Sequence, residues 1–372
     1  MLGPFTTAVM PTLPSSVEIL LGILVLFGGG ELFVAGSVAL SLLLGIPQLV
    51  IGLTVVSLGT STPELFVSVL STFNGDADLA VSNVVGSNIF NILVVLGASA
   101  AIVPLRVRSR LVRRDVPLLL GISMAVWGMA SGGRLTWQAG VALLFATVAN
   151  LVWEIRTASE DSEDDEDNEA ERATPLVAGL KLAAGLVLLV LGSQLLVKGA
   201  TTAAVALGVS QTVIGLTIVA AGTSMPELVT SVVAAYRGKA DLAIGNVVGS
   251  NLLNQIVILG LCAVLSGGKG LAVDPVMVSR DLPIMVATTL ACLPIFWSNG
   301  TISRLEGWLL LGLYGLYLVE QVLAATAGGE IVDNTFRFVV LVAVLPLLMV
   351  FLVWQVLRWK QQRKLLAVQG GD

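Results

Sequence analysis

Apolar runs of about 20 residues, the length a helix needs to cross a bilayer, follow one another along almost the whole chain. Hydrophobic residues make up 56% of the 372 and charged residues only 12%, far from the balance of a water-soluble domain. The chain is therefore expected to be an all-α polytopic membrane protein, since a transmembrane barrel would show short alternating strands instead. Spans are expected at about 17–43, 48–73, 79–103, 115–131, 136–154, 176–206, 211–236, 241–266, 281–298, 305–325 and 335–357, eleven helices in all. The first run is longer than a signal-peptide core, has no Lys or Arg in front of it and carries Glu31 near its middle, so it is expected to be retained.

Basic residues set the orientation. An external N-terminus makes RVRSRLVRR (106–114), Arg156, Arg172, Arg237, Lys239, Arg304 and the tail group Arg358, Lys360, Arg363 and Lys364 cytoplasmic. Only about five of the twenty basic residues then lie outside, near Arg134, Lys198, Lys269, Arg280 and Arg337. The expected home is the plasma (cell inner) membrane, with the C-terminus in the cytoplasm. The acidic run EDSEDDEDNEAE (160–171) contains almost nothing to bury and reads as a disordered cytoplasmic linker.

The chain also repeats itself. Shifted by 163 positions, residues 48–97 fall on 211–260 with about 30 of the 50 positions identical. GGELFVAGS (29–37) resembles GSQLLVKGA (192–200), and RRDVP (113–117) resembles SRDLP (279–283). Each repeat is thus expected to be a five-helix unit: residues 1–158, a linker at 159–174, a second unit at 175–326, and an added C-terminal helix with a basic tail at 327–372. Five spans is an odd number, so the second unit must sit inverted. The loop between the motif helices reads NGDAD in the first unit and basic RGKAD in the second, as inversion requires. Inverted repeats are characteristic of secondary transporters, with the substrate held at the midplane by broken helices of both halves.

Two segments interrupt the apolar pattern in the same way, GTSTPEL (59–65) and GTSMPEL (222–228). Pro63 and Pro226 lack a backbone donor and collide with the preceding turn, which is expected to free carbonyls near residues 57–59. A freed carbonyl in hydrocarbon needs protein, water or an ion. Thr60, Glu64 and Ser68 are spaced four apart and share a helix face, with Ser61 beside them. Thr223, Ser224, Glu227 and Ser231 repeat the set.

The following helices carry Asn83, Ser87 and Asn91, and Asn246, Ser250 and Asn254, again at intervals of four. Together these segments offer two carboxylates, hydroxyls, amide oxygens and carbonyls. Such a set suits hard cations such as calcium, sodium, magnesium or manganese. There is no histidine, and Cys262 and Cys292 suggest neither a disulfide framework nor a thiolate site. An intramembrane carboxylate costs roughly 3 kcal/mol even on the lenient insertion scale, so Glu64 and Glu227 are read as functional. Glu31, whose counterpart is Gln194, is a secondary candidate for a structural or gating part.

The paired GTSxPEL and GNVxGSN-type motifs, inverted and separated by an acidic loop, resemble the alpha repeats of the calcium/cation antiporter superfamily, especially the prokaryotic sodium/calcium exchangers. The resemblance covers the first ten spans. It implies a ten-helix core, four ion sites at its centre, and alternating access in which the first and sixth helices slide against a static bundle. Carried over by motif position, it assigns ion contacts to Glu64 and Glu227, to Thr60, Ser61, Thr223 and Ser224, to Ser87 and Ser250, to Asn91 and Asn254, and to the carbonyls of Ser57 and Ala220. Members of the family often have Asp where this chain has Asn254.

The expected activity is export of calcium in exchange for sodium. Two carboxylates match the charge of one divalent or two monovalent ions. Burial disfavours a charged carboxylate, which keeps proton coupling open as an alternative to sodium. A cation channel would use the same lining. Two glutamates without histidine or an activated nucleophile make an enzyme a poor reading. No cofactor is expected, the only partners being membrane lipid and the transported ions, without nucleic acid. Nothing in the sequence fixes an oligomeric state.

Overall fold

A computed structural model describes residues 14–157, 174–209, 211–297, 300–325 and 350. They form helices α1 (Ser15–Leu44), α2 (Gln48–Thr60), α3 (Thr62–Asn74), α4 (Ala77–Ile102), α5 (Val116–Ala130) and α6 (Trp137–Thr157) in the first part. The second part holds α7 (Pro175–Ala206), α8 (residues 211–222), α9 (Met225–Tyr236), α10 (Ala240–Leu265), α11 (Met277–Trp297) and α12 (Arg304–Ala325). Two-residue strands β1 (Leu105–Arg106), β2 (Arg134–Leu135), β3 (Leu271–Ala272) and β4 (Thr301–Ile302) sit in the connections. β1 pairs antiparallel with β4, and β2 with β3. The eleventh span expected at 335–357 lies, Val350 aside, outside the described residues, as does the acidic run at 160–171.

Six of these helices (α1, α4, α7, α10, α11 and α12) are long and apolar enough to cross a membrane, and α2 with α3 makes a seventh span bent by 48°. The spans expected at 115–131, 136–154 and 211–236 are helical but fall short of that measure. Val116–Ala130 is only 15 residues long, though a π-helical turn at Leu111–Asp115 extends it backwards. The 211–236 segment is interrupted at Thr223 and Ser224.

The likeness between the halves reaches local geometry. π-Helical turns occupy Gly52–Val56 and Gly215–Val219, Asn91–Leu96 and Asn254–Ile258, and Leu111–Asp115 and Met277–Asp281. The RRD and SRD segments also fold alike. Asp115 and Glu154 share Arg110 and Arg114, while Asp281 pairs with Arg280 at 3.0 Å and accepts from Gln321 at 3.0 Å. Pairing of this kind lowers the cost of burying a carboxylate.

Burial separates a centre from a periphery. α4 and α10 are buried over 72% and 78% of their apolar windows, α7 and α12 over only 28% and 22%. The two central helices therefore face protein over most of their surface, and the outer ones turn leucine, valine and aromatic side chains outward, among them Leu176, Leu180, Val187 and Trp308. Exposed apolar surface of this extent suits lipid. Most of the packing of α1 is against α7, along glycines spaced seven apart. A Cβ at Gly22, Gly29 or Gly36 would lie 2.6–2.8 Å from the backbone nitrogens of Leu196, Leu189 and Leu182, and one at Gly185 only 2.5 Å from that of Phe33. Small residues let these two backbones touch.

Candidate ion-binding site

The two motif helices break where the sequence predicts, but the freed backbone is partly retaken. The bend between α2 and α3 falls at Ser61, two residues ahead of Pro63. The carbonyl of Ser57, expected to be free, accepts the Ser61 amide at 2.9 Å, and that of Leu58 accepts the Thr62 hydroxyl at 3.0 Å. The Ser57 bond is the ordinary four-residue helical one, since Pro63 removes only the donor that would face Gly59; the Thr62 hydroxyl adds a local partner for Leu58, one of the ways a membrane helix tolerates a break. The second break is a two-residue turn at Thr223 and Ser224 ahead of Pro226.

Each break delivers its glutamate to the first turn of the following helix, where Glu64 and Glu227 are completely buried. Their hydrogen bonds cross between the halves. Ser224 Oγ donates to Glu64 Oε1 at 2.8 Å, and Ser61 Oγ donates to Glu227 Oε1 at 3.0 Å. Ser87 Oγ, on α4, reaches Glu64 Oε1 at 3.4 Å. Oε2 of each glutamate has no hydrogen-bond partner among the described residues.

Asn83 and Asn246 brace the breaks. Asn83 Nδ2 donates to the Glu64 carbonyl at 3.3 Å and to Ser68 Oγ at 3.0 Å; Asn246 Nδ2 donates to the Glu227 carbonyl at 3.4 Å and to Ser231 Oγ at 2.9 Å. These amides hold the start of each post-proline helix against the partner helix.

The remaining predicted residues of α4 and α10 are buried as well. Asn91 and Asn254 are fully buried at the first positions of π-helical turns, a local widening common at functional sites. Ser250 Oγ, Thr223 Oγ1, Asn254 Oδ1 and both amide atoms of Asn91 are buried without partners among the described residues. Sequence reasoning missed Asn88, Asn251 and Gln255, all fully buried. Asn88 Oδ1 accepts from Asn254 Nδ2 at 3.2 Å, and its carbonyl accepts from Asn251 Nδ2 at 3.1 Å. The signal was present, since these are amides inside long apolar spans. Glu31 lies apart from this group and pairs with Arg237, at the end of α9.

The two halves of the site are not equally covered. Ser57 and Asn246 are completely buried, whereas their counterparts Ala220 and Asn83 are exposed and half-buried. Thr60 Oγ1 donates to Asn246 Oδ1 at 3.0 Å, and the matching hydroxyl of Thr223 has no such bond. Among the described residues no three His, Cys, Asp or Glu side chains gather, so any cation here relies on neutral oxygens beside two carboxylates. Oxygen-only coordination of this kind suits hard ions.

A family model described as sodium/calcium exchanger protein matches residues 15–156 and 178–323. This chain belongs to that family. It is a cation antiporter of the calcium/cation antiporter superfamily, of the prokaryotic type, an integral membrane transporter and not an enzyme. Among its relatives are the putative antiporter CaxA of Alkalimonas amylolytica, 37% identical over 80% of this chain and 96% of that one, and the sodium/calcium exchanger MaX1 of Methanosarcina acetivorans, 32% identical over 81% and 96%. Among solved structures the sodium–calcium exchanger NCX_Mj superposes with a TM-score of 0.71 at 31% identity, covering 82% of this chain and 98% of that one. The helical exchanger fold is shared with NCX_Mj.

Proposed function

We propose that this antiporter moves calcium outward across the cell membrane in exchange for sodium, with Glu64 and Glu227 as the charged ligands and the hydroxyls, amides and carbonyls named above completing the coordination. The observation that carries this reading is the crossed pair of hydrogen bonds, Ser224 to Glu64 and Ser61 to Glu227, which brings two buried carboxylates from separate helix breaks into one oxygen-lined centre. A charged pair in such a place is stabilised by a cation and costly without one. The sodium/calcium exchange named for MaX1 and NCX_Mj favours sodium as the counter-ion.

The architecture of this reading is ten spans in two inverted halves with the N-terminus outside. The reciprocal strand pairing, β1 with β4 and β2 with β3, supports it, because a two-fold relation between halves turns one of these contacts into the other. Alternating access is supported by the unequal cover of the site, closed at Ser57 and Asn246 and open at Ala220 and Asn83. In the proposed orientation the open side faces outward.

The test is flux. In proteoliposomes an imposed sodium gradient drives calcium-45 movement, and Glu64→Gln or Glu227→Gln abolishes it. A pH gradient that drives calcium equally well without sodium would transfer the coupling to protons. Calcium flux that persists in both glutamine variants would refute the site.

A further inference from the structure

On the closed side of the site, α2 and α10 meet backbone to backbone. A Cβ added at Gly245 would stand 2.7 Å from the Leu49 carbonyl oxygen and 3.1 Å from Gly52 Cα; one at Gly249 would stand 2.6 Å from the Leu53 carbonyl oxygen. No real Cβ fits at such distances, so this seal requires glycine at both positions. On the open side the corresponding helices are α8 and α4, and an added Cβ at Gly215 or Gly86 meets nothing within 4 Å.

The repeat makes the comparison residue by residue. Gly52 corresponds to Gly215 and Gly249 to Gly86, but Gly245 corresponds to Ser82. Were the α4–α8 face to close as the α2–α10 face does, the Cβ of Ser82 would occupy the place that Gly245 leaves empty, against backbone that has no flexible side chain to give way. A second observation has the same sign. Beside the closed face Arg108 pairs with Asp241 at 2.6 Å, whereas the matching positions in the other half hold Asp274 and Asp78, two carboxylates with no attraction to offer.

We propose that Ser82 biases the transport cycle, holding the α4–α8 face from sealing as tightly as the α2–α10 face, so that the state with Gly215, Val219 and Ala220 exposed is favoured over its mirror. The inference rests on alternating access and assigns Ser82 a place in the gate, without contact to the ion. What matters is the β-carbon, not the hydroxyl, which is turned back onto its own helix and donates to the Leu79 carbonyl at 3.1 Å.

The experiment is hydrogen exchange of residues 48–57 and 213–220 in the full chain in lipid nanodiscs, with calcium, with sodium and with neither. In the wild type 213–220 exchanges faster than 48–57. Ser82→Gly slows 213–220 and speeds 48–57, changing their ratio by roughly tenfold, the effect of one relieved backbone contact on a two-state balance. Ser82→Ala keeps the β-carbon and matches the wild type. Gly245→Ser opens the other face and speeds 48–57; if that variant does not fold, the Ser82 pair decides alone. An unchanged ratio in Ser82→Gly, or Ser82→Ala behaving like glycine, overturns the proposal. Alternating access itself fails in a separate way, if no ion condition moves the two segments in opposite directions in the wild type.

Discussion

Ser224 donates its hydroxyl to Glu64 at 2.8 Å across the boundary between the two halves of the chain, 160 residues apart in sequence. A hydroxyl bond to an ionised carboxylate inside a protein is worth about 1.5–3 kcal/mol. Ser224→Ala therefore weakens half-maximal calcium activation by about tenfold or more, and Ser61→Ala does the same through Glu227. Calcium titration of flux in proteoliposomes measures this. If both variants stay within about twofold of the wild type, the crossed bonds are architecture and not part of ion binding.

The glycine contact between α1 and α7 predicts a stability effect with an internal control. An added methyl at Gly185 meets the Phe33 amide nitrogen at 2.5 Å, while one at Gly28 on the same helix pair meets nothing within 4 Å. Overpacking of rigid backbone costs about 1–3 kcal/mol. Gly185→Ala should lower the thermal unfolding midpoint in detergent, and Gly28→Ala should leave it unchanged or raise it slightly through better helix propensity. Equal midpoints in the two variants would show that the helices part easily.

How much of this was legible beforehand depended on how out of place a residue looks in hydrocarbon. Pro63, Glu64, Pro226 and Glu227 announce themselves because proline breaks a helix and a carboxylate is expensive in a bilayer, and both glutamates lie at the centre. The repeat puts them at equivalent positions, 163 residues apart. What the sequence could not convey was which group meets which. Periodicity assigns Ser61 to the same turn as Glu64, yet its hydroxyl serves Glu227, a pairing decided by how the two breaks approach one another. The Ser57 carbonyl was expected to be freed and instead receives the Ser61 amide, because Pro63 removes only the donor that would face Gly59, four residues back. Asn88 and Asn251 escaped notice since an amide beside a motif serine reads as helix glue until its partner is seen. The short helix α5 was read as a full span from hydropathy, which does not register the π-helical turn that lengthens it.

Glu31 is the intramembrane carboxylate that the proposed site leaves out. It lies apart from the centre and pairs with Arg237, and both side chains are about half exposed, at 40% and 48%. An ion pair with that much exposure contributes about 0–1 kcal/mol. Glu31→Gln is expected to retain more than half of the calcium flux under conditions where Glu64→Gln retains none. Equal loss in the two variants would return Glu31 to the ion path.

The amide of Asn254 predicts the effect of restoring a carboxylate at that place. Its Nδ2 donates to Asn88 Oδ1 at 3.2 Å, and its Oδ1 is buried without a partner among the described residues. Asn254→Asp replaces the donor with an acceptor, so two oxygens face each other while a third carboxylate joins Glu64 and Glu227. Loss of the bond leaves a buried group unsatisfied, at about 1–3 kcal/mol. The variant should unfold at lower temperature than the wild type in the absence of divalent ions, and calcium should raise its midpoint by more than it raises that of the wild type, since added negative charge strengthens the hold on a cation. The extra charge must also change how many monovalent ions balance one calcium, which appears as a shift in the reversal potential of exchange in voltage-clamped proteoliposomes. A lower midpoint that calcium fails to restore would mean that Asn254 braces Asn88 without touching the ion, and an unmoved reversal potential would place the coupling ratio in Glu64 and Glu227 alone.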